Sequence, residues 1–118
     1  VERLASHEGV LQALRAAHER NCWIGAICAG PLVLQAAGLL AGRRVTCHPA
    51  VTSRLHSGTR CNDAVVVDGR IVTSQGVGTS VAFGLMLIQC LCGHDTAHRV
   101  AADIVASWPL QAAGDPRG

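Results

Sequence analysis

Hydrophobic and polar positions repeat along the chain in two periods, one typical of helices and the other of strands. Apolar residues recur at helical spacing after Ser6, so the pattern predicts an amphipathic helix over about residues 7–20 with Ser6 as its N-cap. A short, continuously apolar run, CWIGAI, follows at residues 22–27, as expected for a buried strand. The inward face of the helix comprises Val10, Leu11, Leu14 and Ala17.

The next segment predicts a sharp turn from strand to helix. Small residues follow the strand at Ala29 and Gly30, and Pro31 stands where proline is favoured at the first position of a helix. Gly38 supplies the expected helix stop. Cys28 therefore lies at the junction between a strand and a helix.

The alternation continues in the second half of the chain. RRVTCH (43–48) predicts a strand, and AVTSRLHS (50–57) predicts a short helix. AVVVDGRIVTS (64–74) contains two β-branched runs on either side of Asp68-Gly69, a dipeptide that accepts positive φ. This segment predicts a hairpin with its tight turn at that dipeptide.

Two helices and a tail complete the predicted organisation. VAFGLMLIQCLCG (81–93) is apolar on nearly every side, which predicts a deeply packed helix that ends at Gly93. A last helix begins near Asp95, and about residues 107–118 form a flexible tail. The inward positions of the last helix are Ala97, Val100 and Ile104.

Helices that alternate with short apolar strands predict an α/β sandwich with a largely parallel central sheet. The length of 118 residues, with 49% hydrophobic and 15% charged residues, fits a single domain or a portion of one. In such sheets the reactive groups lie beyond the carboxyl ends of the strands. Cys28 occupies that position.

The charge pattern argues against nucleic acid as a partner. The net charge of +2 depends on ten scattered arginines, and aromatic residues make up only 3%, whereas nucleic-acid surfaces combine basic clusters with aromatics. No apolar run approaches the ~20 residues that cross a bilayer, and no basic-then-apolar leader opens the sequence. We therefore expect a cytoplasmic protein with no membrane partner.

Other motifs are interpreted as structural. The six cysteines lie mostly inside apolar segments with no C-x-x-C pair, which favours reduced, mostly buried thiols over a disulfide framework. His94 and His98 are four residues apart but have no third ligand nearby, so no metal site is expected. GVGTS (76–80) precedes a helix and could bind an anion, but it lacks the lysine of a phosphate-binding loop, so a structural turn is favoured.

Cys28 combines the features of a nucleophile. A sharp turn strains its backbone, and the helix that begins at Pro31 directs partial positive charge and free N–H groups at the sulfur, which favours the thiolate. The backbone N–H of Ala29, with Gly30 beside it, is placed to bind an oxyanion, a contact that can be worth ~3 kcal/mol of barrier. The alternative is a buried cysteine that only ends a strand.

His48 is the leading candidate for a base or proton shuttle beside Cys28. It ends the predicted strand VTCH, and adjacent parallel strands would bring both residues to the same edge of the sheet. A capping or structural histidine is an equal alternative. Cys47 alternates to the opposite face and is expected in the core.

Three motifs together resemble the ThiJ/PfpI superfamily, in the branch of the parkinsonism-associated protein deglycase. They are the A-I-C-A-G-P turn, the V-T-x-H-P strand end, and the D-G-x-I-x-T-S-x-G-x-G-T block, and the resemblance extends over nearly the whole chain. It implies a flavodoxin-like three-layer sandwich of the class I glutamine amidotransferase type. It also implies that Cys28 is an oxidation-sensitive nucleophile with His48 near it, that no cofactor is needed, and that the protein is a homodimer.

The sequence departs from the family pattern at its start. Residues 1–118 correspond to the C-terminal portion of the family domain, so we expect an N-terminal segment of the same protein as a partner. In the family that segment carries a glutamate whose carboxyl group hydrogen-bonds the cysteine sulfur. None of Glu2, Glu8 and Glu19 can be assigned that role, because all lie on or before the first predicted helix. Val77 stands where many relatives have proline.

Three functions compete at this stage. The first is a glyoxalase- or deglycase-type enzyme in which Cys28 attacks the aldehyde carbon of a reactive dicarbonyl or glycation adduct and His48 moves the proton. The second is a redox-sensing chaperone in which Cys28 is oxidised without significant turnover. The third is a peptidase or amidase, although the H-x-E pair of amidotransferases is absent.

Overall fold

The computed structural model describes residues 1–107. The flexible tail predicted at about 107–118 lies, apart from its first residue, outside the described residues. The helices are α1 (Glu2–Ala5), α2 (Glu8–Glu19), α3 (Pro31–Ala36), α4 (Ser80–Cys92) and α5 (His94–Asp103), with 3₁₀ turns at Pro49–Arg54 and Val77–Thr79. The strands are β1 (Ile24–Ile27), β2 (Arg44–Val45), β3 (Thr59–Arg60), β4 (Val65–Asp68) and β5 (Ile71–Ser74).

The main sheet has the order β1-β5-β4 and is mixed. β1 runs parallel to β5, with Ala26 opposite Thr73. β4 and β5 form the predicted antiparallel hairpin, in which Asp68 pairs with Ile71. The two loop residues are therefore Gly69 and Arg70, one position later than predicted, and Gly69 takes the positive φ of +60°.

Helices cover both faces of this sheet. On one face α2 and α3 pack against β1 and β5 in a core that includes Leu11, Ile24 and Leu34. On the other face α4 packs against the hairpin through Met86, Val67 and Val72. The result is the predicted three-layer α/β arrangement.

The pairing of the short strand β2 differs from the prediction that it lies beside β1. It pairs in parallel with β3 in a separate two-stranded sheet, and not with β1. Its chain is tied to the main sheet by side chains instead, because the Thr46 N–H donates to Thr73 Oγ1 and the Arg44 N–H donates to Asp68 Oδ2. The segment predicted as a helix after it forms the 3₁₀ turn Pro49–Arg54.

The beginning of α2 also differs from the prediction. Its N-cap is His7, whose side chain accepts from the Val10 N–H at 3.2 Å. Ser6 does not cap α2, because its hydroxyl hydrogen-bonds the carbonyl oxygens of Glu2 and Arg3 at the end of α1. The short helix α1 was not predicted.

The deep packing predicted for residues 81–93 is wrong for part of α4. Val81 is 54% exposed and Leu91 is 64% exposed, because the described layers cover only the face that carries Leu85 and Met86. Within α5, Ala97 and Ala101 are buried as a pair one turn apart. Ile104 lies beyond the end of α5 and is 52% exposed, contrary to its predicted inward position.

The cysteines are all free thiols, as predicted, but most are not buried. Cys47 is fully buried as expected, whereas Cys22 and Cys92 are exposed and the other three are intermediate. Apolar sequence neighbours did not imply burial, because several lie at the ends of elements. In residues 1–107 no helix combines the length and the apolar character needed to cross a bilayer.

Candidate active site

Cys28 follows β1 directly and has a φ of +64°, which is rare for a residue with a side chain. Two backbone hydrogen bonds hold it there. Its N–H donates to the Ser74 carbonyl at 3.1 Å, and its carbonyl accepts from the His48 N–H at 2.8 Å. Such a conformation costs on the order of 1–2 kcal/mol, so the surrounding contacts must impose it. The strained backbone predicted at this cysteine is therefore present.

The turn after Cys28 needs glycine at position 30. A Cβ added there would lie 2.9 Å from the Ile27 carbonyl oxygen, closer than such atoms approach. The Gly30 N–H donates to that same oxygen at 2.9 Å, so it is not available to a substrate. Among the described residues the Ala29 N–H has no acceptor, which leaves it as the free donor of the turn.

His48 lies at the start of the 3₁₀ turn and caps it. Its Nδ1 accepts from the Ala50 N–H at 3.0 Å. A backbone N–H can only donate, so the neutral ring carries its proton on Nε2. His48 is therefore a capping histidine, which was the alternative considered from the sequence. In this geometry its other ring nitrogen, Nε2, is a hydrogen-bond donor and not an acceptor.

The loop between β5 and α4 forms the third side of the site. Thr79 Oγ1 accepts from the Gln75 and Gly76 N–H groups at 3.2 and 3.1 Å and lies 2.6 Å from Ser74 Oγ. This hydroxyl folds the loop back toward the sheet. Gly76 then lies against the imidazole, since an added Cβ would be 3.3 Å from His48 Cδ2.

These segments line a cavity of about 400 Å³. Its lining includes Cys28 and His48, the two side chains predicted from the sequence. Cys28 and His48 meet there through β1 and the 3₁₀ turn, although β2 does not pair with β1. Ala29 and Gly30 lie in the turn that follows Cys28 and do not line the cavity. The cavity is lined by Cys28, His48, Pro49, Gln75, Gly76, Val77, Gly78 and Thr79.

The lining loop was interpreted from sequence as a structural turn. Its position could have been predicted, because a largely parallel sheet was expected and the loop follows the last predicted strand, at whose carboxyl end reactive groups lie in such sheets. Val77 is 90% exposed at the rim of the cavity. No carboxylate contributes to the lining in the described part of the chain, so the site has no acid of its own there.

The histidines and cysteines of residues 1–107 were also compared with metal-site patterns. No group of three metal-binding side chains occurs among them. The rings of His94 and His98 on α5 are tilted by 54° to each other, with centroids 4.2 Å apart. The two histidines are close because residues four apart lie on the same face of a helix, as interpreted from the sequence.

Residues 1–90 match the DJ-1/PfpI family, and the chain belongs to that family. The glutathione-independent glyoxalase DJR-1.2 of Caenorhabditis elegans is 46% identical over 72 residues, which are 59% of this chain and 38% of that protein. The Parkinson disease protein 7 homolog of Danio rerio is 35% identical over 107 residues, 88% of this chain and 57% of the relative.

Solved structures agree with these matches. The crystal structure of Drosophila melanogaster DJ-1beta superposes with a TM-score of 0.86 at 29% identity, over 91% of this chain and 59% of the fly chain. The resemblance to this family and the flavodoxin-like α/β class are thereby confirmed. The chain spans between 38% and 59% of the length of these three proteins.

Proposed function

We propose that the protein containing this chain converts reactive dicarbonyl compounds or early glycation adducts by cofactor-independent, glyoxalase- or deglycase-type chemistry. The observation that carries this proposal is the position of Cys28, strained at positive φ and facing the same cavity as His48. A cavity of about 400 Å³ is ample for a small carbonyl substrate. A relative at 46% identity is named as a glutathione-independent glyoxalase.

In the first step the Cys28 sulfur attacks the aldehyde carbon of a substrate such as methylglyoxal. A carbon–sulfur bond forms, and the π electrons of the carbonyl move to its oxygen. The free N–H of Ala29 is the donor available to that oxyanion. Removing one such donor typically costs on the order of 100-fold in rate.

His48 donates a hydrogen bond to a substrate oxygen in this proposal. Because Nδ1 is occupied by the Ala50 N–H, taking up a proton there would break the cap. His48 therefore stabilises the alkoxide and enediolate oxygens through Nε2–H. The sequence predicted that His48 shuttles a proton. In this proposal His48 only donates a hydrogen bond.

In the next step, a base from outside the described lining carries the proton from the aldehyde carbon to its neighbour. The described lining offers no carboxylate for this step. We assign it to the glutamate that the family resemblance places in an N-terminal segment of the same protein. Hydrolysis of the resulting thioester releases the hydroxy acid, lactate from methylglyoxal, and regenerates the Cys28 thiol.

The oligomeric state and the cellular location of the protein are further parts of this proposal. We propose a homodimer, supported by apolar side chains such as Val81 and Leu91 that α4 exposes. We propose a cytoplasmic location, supported by thiols that are all unpaired. Nucleic acid is not a proposed partner, because the arginines are scattered.

The test measures lactate formed from methylglyoxal by the full-length protein in the presence of a metal chelator. We expect turnover that Cys28→Ser abolishes and His48→Ala lowers about 10-fold or more. Cys92→Ser, which changes an exposed thiol far along α4, is the matched control and should keep full activity. Equal turnover by Cys28→Ser and the parent protein would overturn the proposal, as would peroxide oxidation of Cys28 without any turnover.

A further inference from the structure

A second cavity lies at the opposite end of β1 from the proposed active site. It has a volume of about 240 Å³ and includes the thiol of Cys22, which precedes β1, whereas Cys28 follows it. A strand of four residues separates the two ends by roughly 13 Å. The lining residues are His18, Asn21, Cys22, Arg43, Gly69 and Arg70.

The first of two arginines in this cavity is fixed by backbone carbonyls. Arg43 is 23% exposed, and its Nε donates to the Leu39 carbonyl at 3.0 Å. Its Nη1 donates to the Asp68 carbonyl at 3.1 Å, beside the hairpin turn. These bonds leave Nη2 without a partner among the described residues.

The second arginine is held by an aromatic ring. The Arg70 guanidinium lies 5.1 Å from the centroid of the Trp23 ring, in the range of a cation–π contact. Trp23 in turn packs against the hydrophobic cluster under α4. A guanidinium held by its face keeps its N–H edges available for hydrogen bonds.

The cavity is therefore positively charged. Its lining combines two arginines with His18 and contains no carboxylate. Asp68, which precedes the lining residue Gly69, accepts from the Arg44 N–H at 2.8 Å and lies 3.9 Å from both Arg43 and Arg44. Fixed cations in a concave surface attract anionic molecules and raise their local concentration.

Cys22 is exposed at this positive surface. Its backbone is fixed, because its N–H donates to the Ala17 carbonyl at 2.9 Å after Asn21, which has a φ of +59°. Its thiol forms no disulfide. A small anionic reagent attracted by Arg43 and Arg70 is thus brought to a free thiol.

We propose that Cys22 is a second modification site, which forms mixed disulfides with acidic low-molecular-weight disulfides such as glutathione disulfide. The Cys22 thiol loses its proton to solvent, and the thiolate attacks one sulfur of the disulfide. A new sulfur–sulfur bond forms as the old one breaks, and the other half leaves with the electron pair as a thiolate. Cys22 is oxidised and the leaving half is reduced, while the carboxylates of the bound half face Arg43 and Arg70.

The experiment compares an acidic and a basic disulfide on the same thiols. Full-length protein carrying Cys28→Ser is treated with glutathione disulfide or with cystamine at low ionic strength, and adducts at Cys22 and Cys92 are quantified by peptide mass spectrometry. Cys92 is the matched control because it is also exposed and does not line the arginine cavity. We expect the rate ratio of glutathione disulfide to cystamine to be about 10-fold higher at Cys22 than at Cys92, and to fall with added salt.

Two arginine variants distinguish electrostatic attraction of the disulfide from a general effect on folding. Arg70→Gln changes an exposed residue and should lower the ratio at Cys22 by several-fold while leaving Cys92 unchanged. Arg99→Gln, on α5, is the control and should leave both sites unchanged. Equal ratios at Cys22 and Cys92, an unchanged ratio in Arg70→Gln, or the absence of any adduct at Cys22 would overturn the proposal.

Discussion

At the scale of single residues, the site depends on one strained backbone position. Cys28 adopts a positive φ because its N–H and carbonyl are both bonded to neighbouring segments, at Ser74 and His48. The backbone conformation of Cys28 therefore depends on contacts among three segments of the chain. A change that releases any one of them should move the sulfur.

Gly30→Ala tests how tightly the turn is built. The added Cβ would meet the Ile27 carbonyl oxygen at 2.9 Å, so the turn must shift. We expect a loss of about 1–3 kcal/mol in the free energy of unfolding and a slower reaction of Cys28 with iodoacetamide. Gly84→Ala is the control, because a Cβ there meets nothing within 4 Å. Equal stability and equal labelling in both variants would contradict the account.

The tautomer of His48 is a second prediction at this scale. Since Nδ1 accepts from the Ala50 N–H, the neutral ring should carry its proton on Nε2. Nitrogen-15 NMR of the full-length protein, above the pH at which the ring is charged, distinguishes the two nitrogens. A protonated Nδ1 would show that the cap is not formed and would reopen a role for His48 as the base.

At the scale of elements, the loop between β5 and α4 should depend on a single hydroxyl. Thr79→Val keeps the volume but removes the acceptor for the Gln75 and Gly76 N–H groups. We expect a loss of about 1–3 kcal/mol in unfolding free energy and lower turnover. Thr79→Ser keeps the hydroxyl and should retain most of both. If valine and serine behave alike in thermal unfolding and lactate assays, the hydroxyl does not organise the loop.

The thiols of α4 give a pH-dependent prediction. Burial raises the pKa of Cys90, so the folded protein holds this proton more tightly than the unfolded chain does. The resulting stability is complete below the ordinary thiol pKa of about 8.5 and is lost as the pH rises through the raised value.

Accordingly, the free energy of unfolding of the parent protein relative to Cys90→Ala should decline above about pH 8.5. Denaturant titrations across that pH range measure the difference. Cys92→Ala, which changes an exposed thiol on the same helix, is the control. A difference that grows with pH would contradict burial of the Cys90 thiol.

Sequence patterns predicted the elements better than their packing. The strand, turn and helix around Cys28 were predictable, because Gly30 and Pro31 have strong local preferences. The pairing of β2 with β3 was not, since two-residue strands carry no periodicity. The exposure of Val81 and Leu91 on α4 was also unpredictable, because an apolar helix does not encode which neighbours cover it.

The candidate site was predictable only in part. The proximity of Cys28 and His48 was predicted from element order, but through a pairing of β1 with β2 that the structure does not have. The cap that His48 forms with Ala50 depends on side-chain geometry that spacing does not determine. The cavity lining from Gln75 to Thr79 follows from a network centred on Thr79.

At the scale of the whole molecule, the main sheet has an open side. β1 pairs with β5 on one side, and among the described residues no strand pairs with the other. Gly25 in this strand is exposed. Unpaired edges and apolar faces promote aggregation, so we propose that a further segment of the protein covers this side.

We therefore expect residues 1–118 alone to unfold without a sharp transition or to associate through exposed edges. The full-length protein should unfold cooperatively. Thermal unfolding monitored by circular dichroism, combined with sedimentation, compares the two. A sharp two-state transition of the isolated, monomeric chain would contradict this expectation.

The central claim is that the turn after β1 makes the Cys28 sulfur the most reactive thiol of the protein. The most direct test is the rate at which neutral iodoacetamide labels each of the six cysteines in the full-length protein near neutral pH. The account predicts that Cys28 is labelled first, ahead of the exposed Cys22 and Cys92. Labelling of those exposed thiols as fast as Cys28 would contradict it.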